Sequence, residues 1–118
     1  MANSRDERSI VLLVTNDGLG KSEKELQHML AQTYFRLLHE HDLLPAAICF
    51  YTEGVRLVVD GSPILETLAE LEVKGVRLIV CSTCLNYLGL TDKLRVGIVG
   101  GMTDILEAQW KAEKVITL

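Results

Sequence analysis

The chain has 118 residues, 48% of them hydrophobic and 24% charged, with a formal net charge of −4. That length fits one domain, the composition is that of a folded globular chain, and the acidic balance excludes a partner that demands a basic face, such as nucleic acid or an anionic membrane. The first ten residues, MANSRDERSI, carry no apolar run before a small-residue cleavage site, and the longest apolar runs are strand-sized, so the expectation is a cytoplasmic protein without a membrane segment. Three cysteines, an odd number, then read as free thiols in a reducing compartment.

Residues 1–8 read as a polar N-terminal tail and 9–118 as the folded domain. SIVLLVT (9–15) is a β-branched and leucine run, the pattern of a strand covered on both faces. NDGLGK follows as a turn. Ser22 with Glu25 reads as a capping box for a helix whose apolar face is Leu26, Met29, Leu30, Tyr34, Leu37 and Leu38. His39 and His41 lie near its end, where positive charge suits the helix dipole. AAICFYT (46–52) is a second strand, and VRLVVDG (55–61) suits either a strand or a short helix. Ser62-Pro63 is a helix-start signal, Ile64, Leu65, Leu68 and Leu71 supply the face, and Lys74-Gly75 supply the stop. VRLIV (76–80), VGIV (96–99) and KVITL (114–118) complete five strands, with Thr103 capping a helix that runs through Trp110.

This alternation predicts a parallel sheet with helices on both faces, and ligands in such sheets bind beyond the carboxyl ends of the strands. Those ends are Asn16-Asp17-Gly18, Thr52-Glu53-Gly54, Cys81 to Cys84, and Gly100-Gly101, so distant segments should meet on one edge.

The C-x-x-C of CSTC (81–84) admits several chemistries. A structural zinc site needs four ligands, and the chain offers one hook, a strand-embedded Cys49, and three histidines on or just past the first helix; no metal is expected. A redox dithiol draws on the strand-to-helix junction, where helix N–H groups favour a thiolate and Ser82 and Thr83 are candidate caps. The thioredoxin fold, however, places its pair after an earlier strand. Sulfur transfer needs one accessible activated thiol and a second nearby to resolve the intermediate, with no cofactor. Two small core residues remain a further reading, and Cys49 fits the core on its place inside an apolar strand. TNDGLGKS resembles a P-loop only at its end, since G-x-x-x-x-G-K-S/T requires glycine where Thr15 stands. Gly18 and Gly20 as turn residues and Ser22 as a cap account for it more simply.

The segments VTNDGLGKSEKEL, GVRLVVDGSPILETLAELEVKGV, CSTCLNYLGL and VGIVGGMTDILE together resemble the DsrE-like family, closest to the C-terminal domain of YedF-type sulfurtransferase-like selenium-metabolism proteins. The resemblance implies a single-domain, flavodoxin-like, three-layer α/β fold with a mainly parallel five-stranded sheet, assembled as a homotrimer or hexamer. It also implies that 55–59 form a short helix. Family members that relay sulfur carry it on a strand-end cysteine eight residues before a glycine, and Cys81 before Gly89 has that spacing. The implied function is a sulfur or selenium carrier, sulfurtransferase-like, with Cys81 bearing the persulfide and Cys84 assisting or resolving. Asn16, Asp17 and Gly18 would line the same edge, and Thr83 and Asn86 would hold the loop. YedF-type proteins usually place a TusA-like domain before this one, so the expected partners are separate donor and acceptor proteins, a TusA-like protein among the candidates. The alternatives are a non-catalytic binding module and a dithiol oxidoreductase.

Overall fold

The computed structural model describes residues 9–118; the expected polar tail over 1–8 lies outside the described residues. Five strands form one sheet in the order β4-β3-β2-β1-β5: β1 (Ile10–Val14), β2 (Ala47–Phe50), β3 (Arg77–Cys81), β4 (Ile98–Gly100) and β5 (Lys114–Thr117). Every pairing is parallel, with Val14 opposite Phe50, Phe50 opposite Val80, and Cys81 opposite Gly100. The apolar runs find their reason here. β2 is buried along its whole length, and β1 and β3 are buried except at their first residues. The edge strands β4 and β5, of three and four residues, are largely exposed.

Four α-helices connect the strands: α1 (Lys24–Glu40), α2 (Leu65–Val73), α3 (Ser82–Tyr87) and α4 (Met102–Lys111). A 3-10 helix spans Thr52–Val58 and a single 3-10 turn Thr91–Lys93. Right-handed crossovers put α1 and α2, which pack together, on one face and α4, whose connection returns past β1, on the other. The expected short helix over 55–59 is the second half of the 3-10 helix, with Val55, Leu57 and Val58 fully buried.

Helix stops were legible and helix starts were displaced. After α2, Gly75 at φ 102° turns the chain, its N–H bonding the Glu72 carbonyl at 2.9 Å while the Val76 N–H bonds that of Leu71 at 3.0 Å. This is a Schellman stop. Gly89 (φ 70°) ends α3 in the same way, through Gly89 to Asn86 and Leu90 to Leu85. At α1, however, no Ser22–Glu25 capping box forms. Gln27 folds back instead, its Oε1 accepting the Ser22 N–H at 2.8 Å and its Nε2 donating to the Asp17 carbonyl at 2.9 Å. Ser62 accepts the Ile64 N–H at 3.2 Å, three residues before α2 begins at Leu65. Asp104, rather than Thr103, secures the start of α4 by accepting the Gly101 N–H at 2.9 Å.

The expected apolar face of α1 is also corrected. The face turned to the sheet is Gln27, Ala31, Phe35 and Leu38. Tyr34 is half-buried, and Leu26, Met29, Leu30 and Leu37 are exposed on the opposite side. The helix thus carries apolar residues on two sides, and of the six expected residues only Leu38 is buried.

Gly54 sits where the 3-10 helix crosses the end of β1, and a Cβ there would overlap the Val14 carbonyl. Gly61 (φ 88°) has open space around it. Gly54→Ala should therefore lower stability by about 2 kcal/mol or more, because the backbone must move. Gly61→Ala should cost about 1 kcal/mol from its left-handed conformation alone. Urea unfolding of both variants checks the order.

Candidate functional site

The carboxyl ends of β1, β2 and β3 meet through one residue, Thr52. Its backbone lies at φ 48°, a region that a β-branched side chain rarely enters. Its N–H points at Cys84 Sγ, 3.0 Å away, and its Oγ1 lies 2.7 Å from the Thr15 carbonyl oxygen and 2.6 Å from that of Tyr51. The segment after β2 thus ties the segment after β1 to the cysteine loop after β3.

The two cysteines differ in exposure. Cys81 closes β3 and is 3% exposed. Cys84 lies one turn on, in α3, and lines a largely apolar cleft of about 280 Å³ with Thr52, Glu53, Thr83, Tyr87 and Leu88. Ser82 and Thr83 lie inside α3 and cap nothing, since Cys81 occupies the N-cap position without a side-chain bond. The backbone donor on Cys84 sulfur therefore comes from Thr52, not from the start of its own helix. Burial pushes the Cys84 thiol above its ordinary range; a hydrogen bond with Cys81 acts the same way, and the Thr52 N–H opposes both. Cys49 is fully buried in β2, and burial pushes its thiol up to about 11, against a smaller pull from Arg77. It is a core residue.

The other expected residues divide between positions. Asn86 accepts the Thr91 hydroxyl at 2.6 Å and ties α3 to the turn after it. Asn16 donates to the Gly20 carbonyl at 2.7 Å and accepts the Asp17 N–H at 2.9 Å, closing its own loop. Gly18 (φ 124°) lies flat against Gln27. Asp17 turns toward α1, 2.9 Å from His28 Nε2 and 3.3 Å from Lys24 Nζ. It lines a second, polar depression with Arg56 and Asp60. None of these three residues lines the cysteine cleft. Glu53, which does, pairs with Arg56, so this ion pair forms the wall between the two depressions. Thr52, Tyr87 and Leu88 were not anticipated from the sequence as site residues; the only pointer was the strand-end position of Thr52-Glu53-Gly54. Among the described residues, no three His, Cys, Asp or Glu side chains converge in a geometry for a metal ion.

The family model for the DsrE/DsrF-like family matches residues 8–118. The chain belongs to the DsrE/DsrF-like family. That family is associated with sulfur relay and with oligomers. No curated protein matches the chain. Among solved structures it is similar to the ychN protein of Escherichia coli, with 20% identity, a TM-score of 0.68, and 94% of this chain covering 99% of that one. A protein of unknown function from Methanobacterium thermoautotrophicum is 22% identical with a TM-score of 0.66, over 92% of this chain and 97% of that one. A conserved protein of unknown function from Bacteroides thetaiotaomicron is 15% identical with a TM-score of 0.66, over 100% and 99%. These likenesses establish the DsrE-like fold, a five-stranded parallel sheet flanked by helices. Among the described residues, no helix is long and apolar enough to cross a membrane.

Alkylation read by peptide mapping should modify Cys84 first, Cys81 more slowly, and Cys49 only on unfolding. With its thiol raised, Cys84 should react slowly at neutral pH and faster as pH climbs past the ordinary thiol range. Cys81→Ala removes one of the causes that hold the proton on, so the profile should move to lower pH. A profile unmoved by this substitution would show that the two sulfurs do not interact.

Proposed function

We propose that this DsrE-like protein is a sulfur carrier, sulfurtransferase-like, that holds sulfane sulfur as a persulfide on Cys81. The observation that carries the reading is the pair of free thiols at the carboxyl end of β3, one buried and one lining a cleft, with a backbone N–H held on the outer sulfur. Persulfide transfer needs a thiol that a donor can approach and a place where the product is shielded from other thiols and oxidants. Burial of Cys81 supplies the shielding and the cleft at Cys84 supplies the approach. The chemistry calls for no cofactor. Asn16, Asp17 and Gly18 serve this site at one remove, since they shape the loop that begins at Thr15, whose carbonyl anchors Thr52. Thr83 lines the cleft and Asn86 holds the end of the cysteine helix.

The resemblance to the YedF-type branch makes selenium a second candidate cargo and a separate TusA-like protein a candidate partner, with the cytoplasm as the setting that keeps the thiols reduced. A dithiol oxidoreductase would use the same contact between sulfurs, and a stable Cys81–Cys84 disulfide of defined potential in place of a persulfide would favour it.

Treatment of the reduced protein with a persulfide donor, a brief wash with a small thiol, and intact mass measurement test the reading. The wild type should retain sulfane sulfur, Cys81→Ala should retain little, and the double variant Cys81→Ala/Cys84→Ala should gain none. Equal retention by wild type and Cys81→Ala would remove Cys81 as the carrier.

We further propose that copies of this chain assemble as a trimer or hexamer through the outer face of α1. Leu26, Met29, Leu30 and Leu37 share that face at helical spacing and are between 40% and 55% exposed. An apolar stripe of this kind on a folded chain is the usual mark of an interface. Light scattering should find a multimer for the wild type and a monomer of unchanged circular dichroism for Met29→Glu/Leu30→Glu. A monomeric wild type would sink the proposal.

A further inference from the structure

Burial decides which thiol an incoming donor can meet. Cys81 is 3% exposed and does not line the cleft, whereas Cys84 does. The structure also commits a donor to the outer sulfur. The Thr52 N–H lies 3.0 Å from Cys84 Sγ, and Thr52 itself holds φ 48°. That conformation is a strained one for a β-branched residue. It is kept by the hydroxyl at the Thr15 carbonyl and by Gly54, two residues on, seated against Val14. Cys81 is the N-cap residue of α3 and Cys84 its third residue, a three-residue spacing at which side chains on one helix face are neighbours.

Resting on the carrier reading, we propose that sulfur enters and leaves through Cys84, with Thr52 as its positioning residue, and that Cys81 is the store behind it. The donor is a persulfide, R–S–SH, of a small thiol or of a partner protein. In the first step the Cys84 thiolate attacks the terminal sulfur, the donor S–S bond breaks, and R–S⁻ departs and takes up a proton from solvent. Cys84 is then Cys84–S–SH. In the second step the Cys81 sulfur attacks that terminal sulfur, the S–S bond at Cys84 breaks, and the proton of the Cys81 thiol passes to Cys84. The products are Cys81–S–SH and a Cys84 thiol, with nothing oxidised or reduced overall. Cys84 Sγ carries negative charge at the start of the first step, as the thiolate nucleophile, and gathers it in the second, as the leaving group. The Thr52 N–H stands at that atom before either step begins, so no group must reorganise to meet the charge. Delivery to an acceptor thiol runs the same steps backwards.

Glutathione persulfide is a suitable donor, with rapid alkylation quenching and peptide mapping to locate the sulfur. In the wild type, sulfur should appear on Cys84 first and on Cys81 afterwards. In Cys84→Ser, loading of Cys81 should slow by about tenfold or more, because the accessible thiol is gone. In Cys81→Ser, Cys84 should load at close to the wild-type rate but surrender its sulfur readily to a small thiol. If Cys84→Ser loads as fast as wild type, Cys81 takes sulfur directly and this inference falls while the carrier reading stands. If the wild type takes up no sulfur at all, the carrier reading itself falls. For Thr52 the readout is the pH profile of Cys84 alkylation. Thr52→Val should move it to higher pH by loosening the N–H from the sulfur, and Thr52→Ser, which keeps the hydroxyl anchor, should restore it. Should Thr52→Val fail to fold, Thr52→Ala makes the same comparison, since it removes the hydroxyl anchor without a β-branch. A profile that neither Val nor Ala moves removes Thr52 from the mechanism.

Discussion

The left-handed backbone at Thr52 is the constraint on which the carboxyl edge of this sheet depends. One residue supplies a hydroxyl to the loop after β1 and an N–H to the sulfur after β3, and it does both in a conformation that disfavours its own side chain. What holds it there lies just beyond it. Val55, Leu57 and Val58 are fully buried beneath the 3-10 helix, and burial of each contributes about 1.5–3 kcal/mol. Three such side chains outweigh a strain of about 1–3 kcal/mol at a single residue. The crossing at Gly54 removes the slack, because the helix cannot ride higher over Val14 without losing those contacts. Packing in the core is thus converted into the direction of one N–H group at the surface.

The sheet explains why this edge is available. With every strand parallel, each connection must cross a face and return, so all strands deliver their carboxyl ends to the same side. The three central strands are covered and carry the apolar load, which leaves the loops after them as the places where polar and reactive groups gather. β4 and β5 guard the edges at lower cost. They are short, and their exposed residues include Lys114 and Thr117 as well as Ile98, Val99 and Val115. Met102, Leu106 and Trp110 form a second outward apolar stripe, on α4. The molecule thus presents apolar residues on helices from both faces of the sheet, which supports the proposed assembly of copies.

Much of this was legible in the sequence for a definite reason. A strand buried on both faces must be apolar nearly throughout, so β1, β2 and β3 announce themselves, and a helix stop that needs positive φ selects glycine, so Gly75 and Gly89 do too. The Cys81-to-Gly89 spacing has the same origin: the strand ends at Cys81, a six-residue helix follows, and Gly89 is the first residue past its cap. Helix starts were less legible because several side chains can satisfy the same N–H groups. Gln27, a buried polar residue inside the helix, took the part that Ser22 and Glu25 suggested. The α1 face was misassigned because periodicity reports that a face is apolar without saying what covers it. Thr52 was beyond reach. Threonine is a poor choice for a left-handed position on any propensity scale, so nothing local could mark it, and only tertiary packing puts it there.

The asymmetry between the two thiols follows from where β3 ends. Residues on a strand alternate between faces, and the last residue of a central strand is still covered by its neighbours, here Gly100 of β4 on one side. A cysteine at that point is buried by the sheet whatever chemistry it performs. One helical turn later the chain has left the sheet, and the next side chain on the same side meets the cleft rather than the core. C-x-x-C across a strand-to-helix junction therefore yields one inner and one outer sulfur a single helical turn apart. In a protein that acts on free thiols in solution this arrangement wastes the inner one. In a protein that must keep a labile sulfur from water-borne oxidants until a partner arrives, the inner position is the useful one, and the outer sulfur with its fixed N–H is the passage to it.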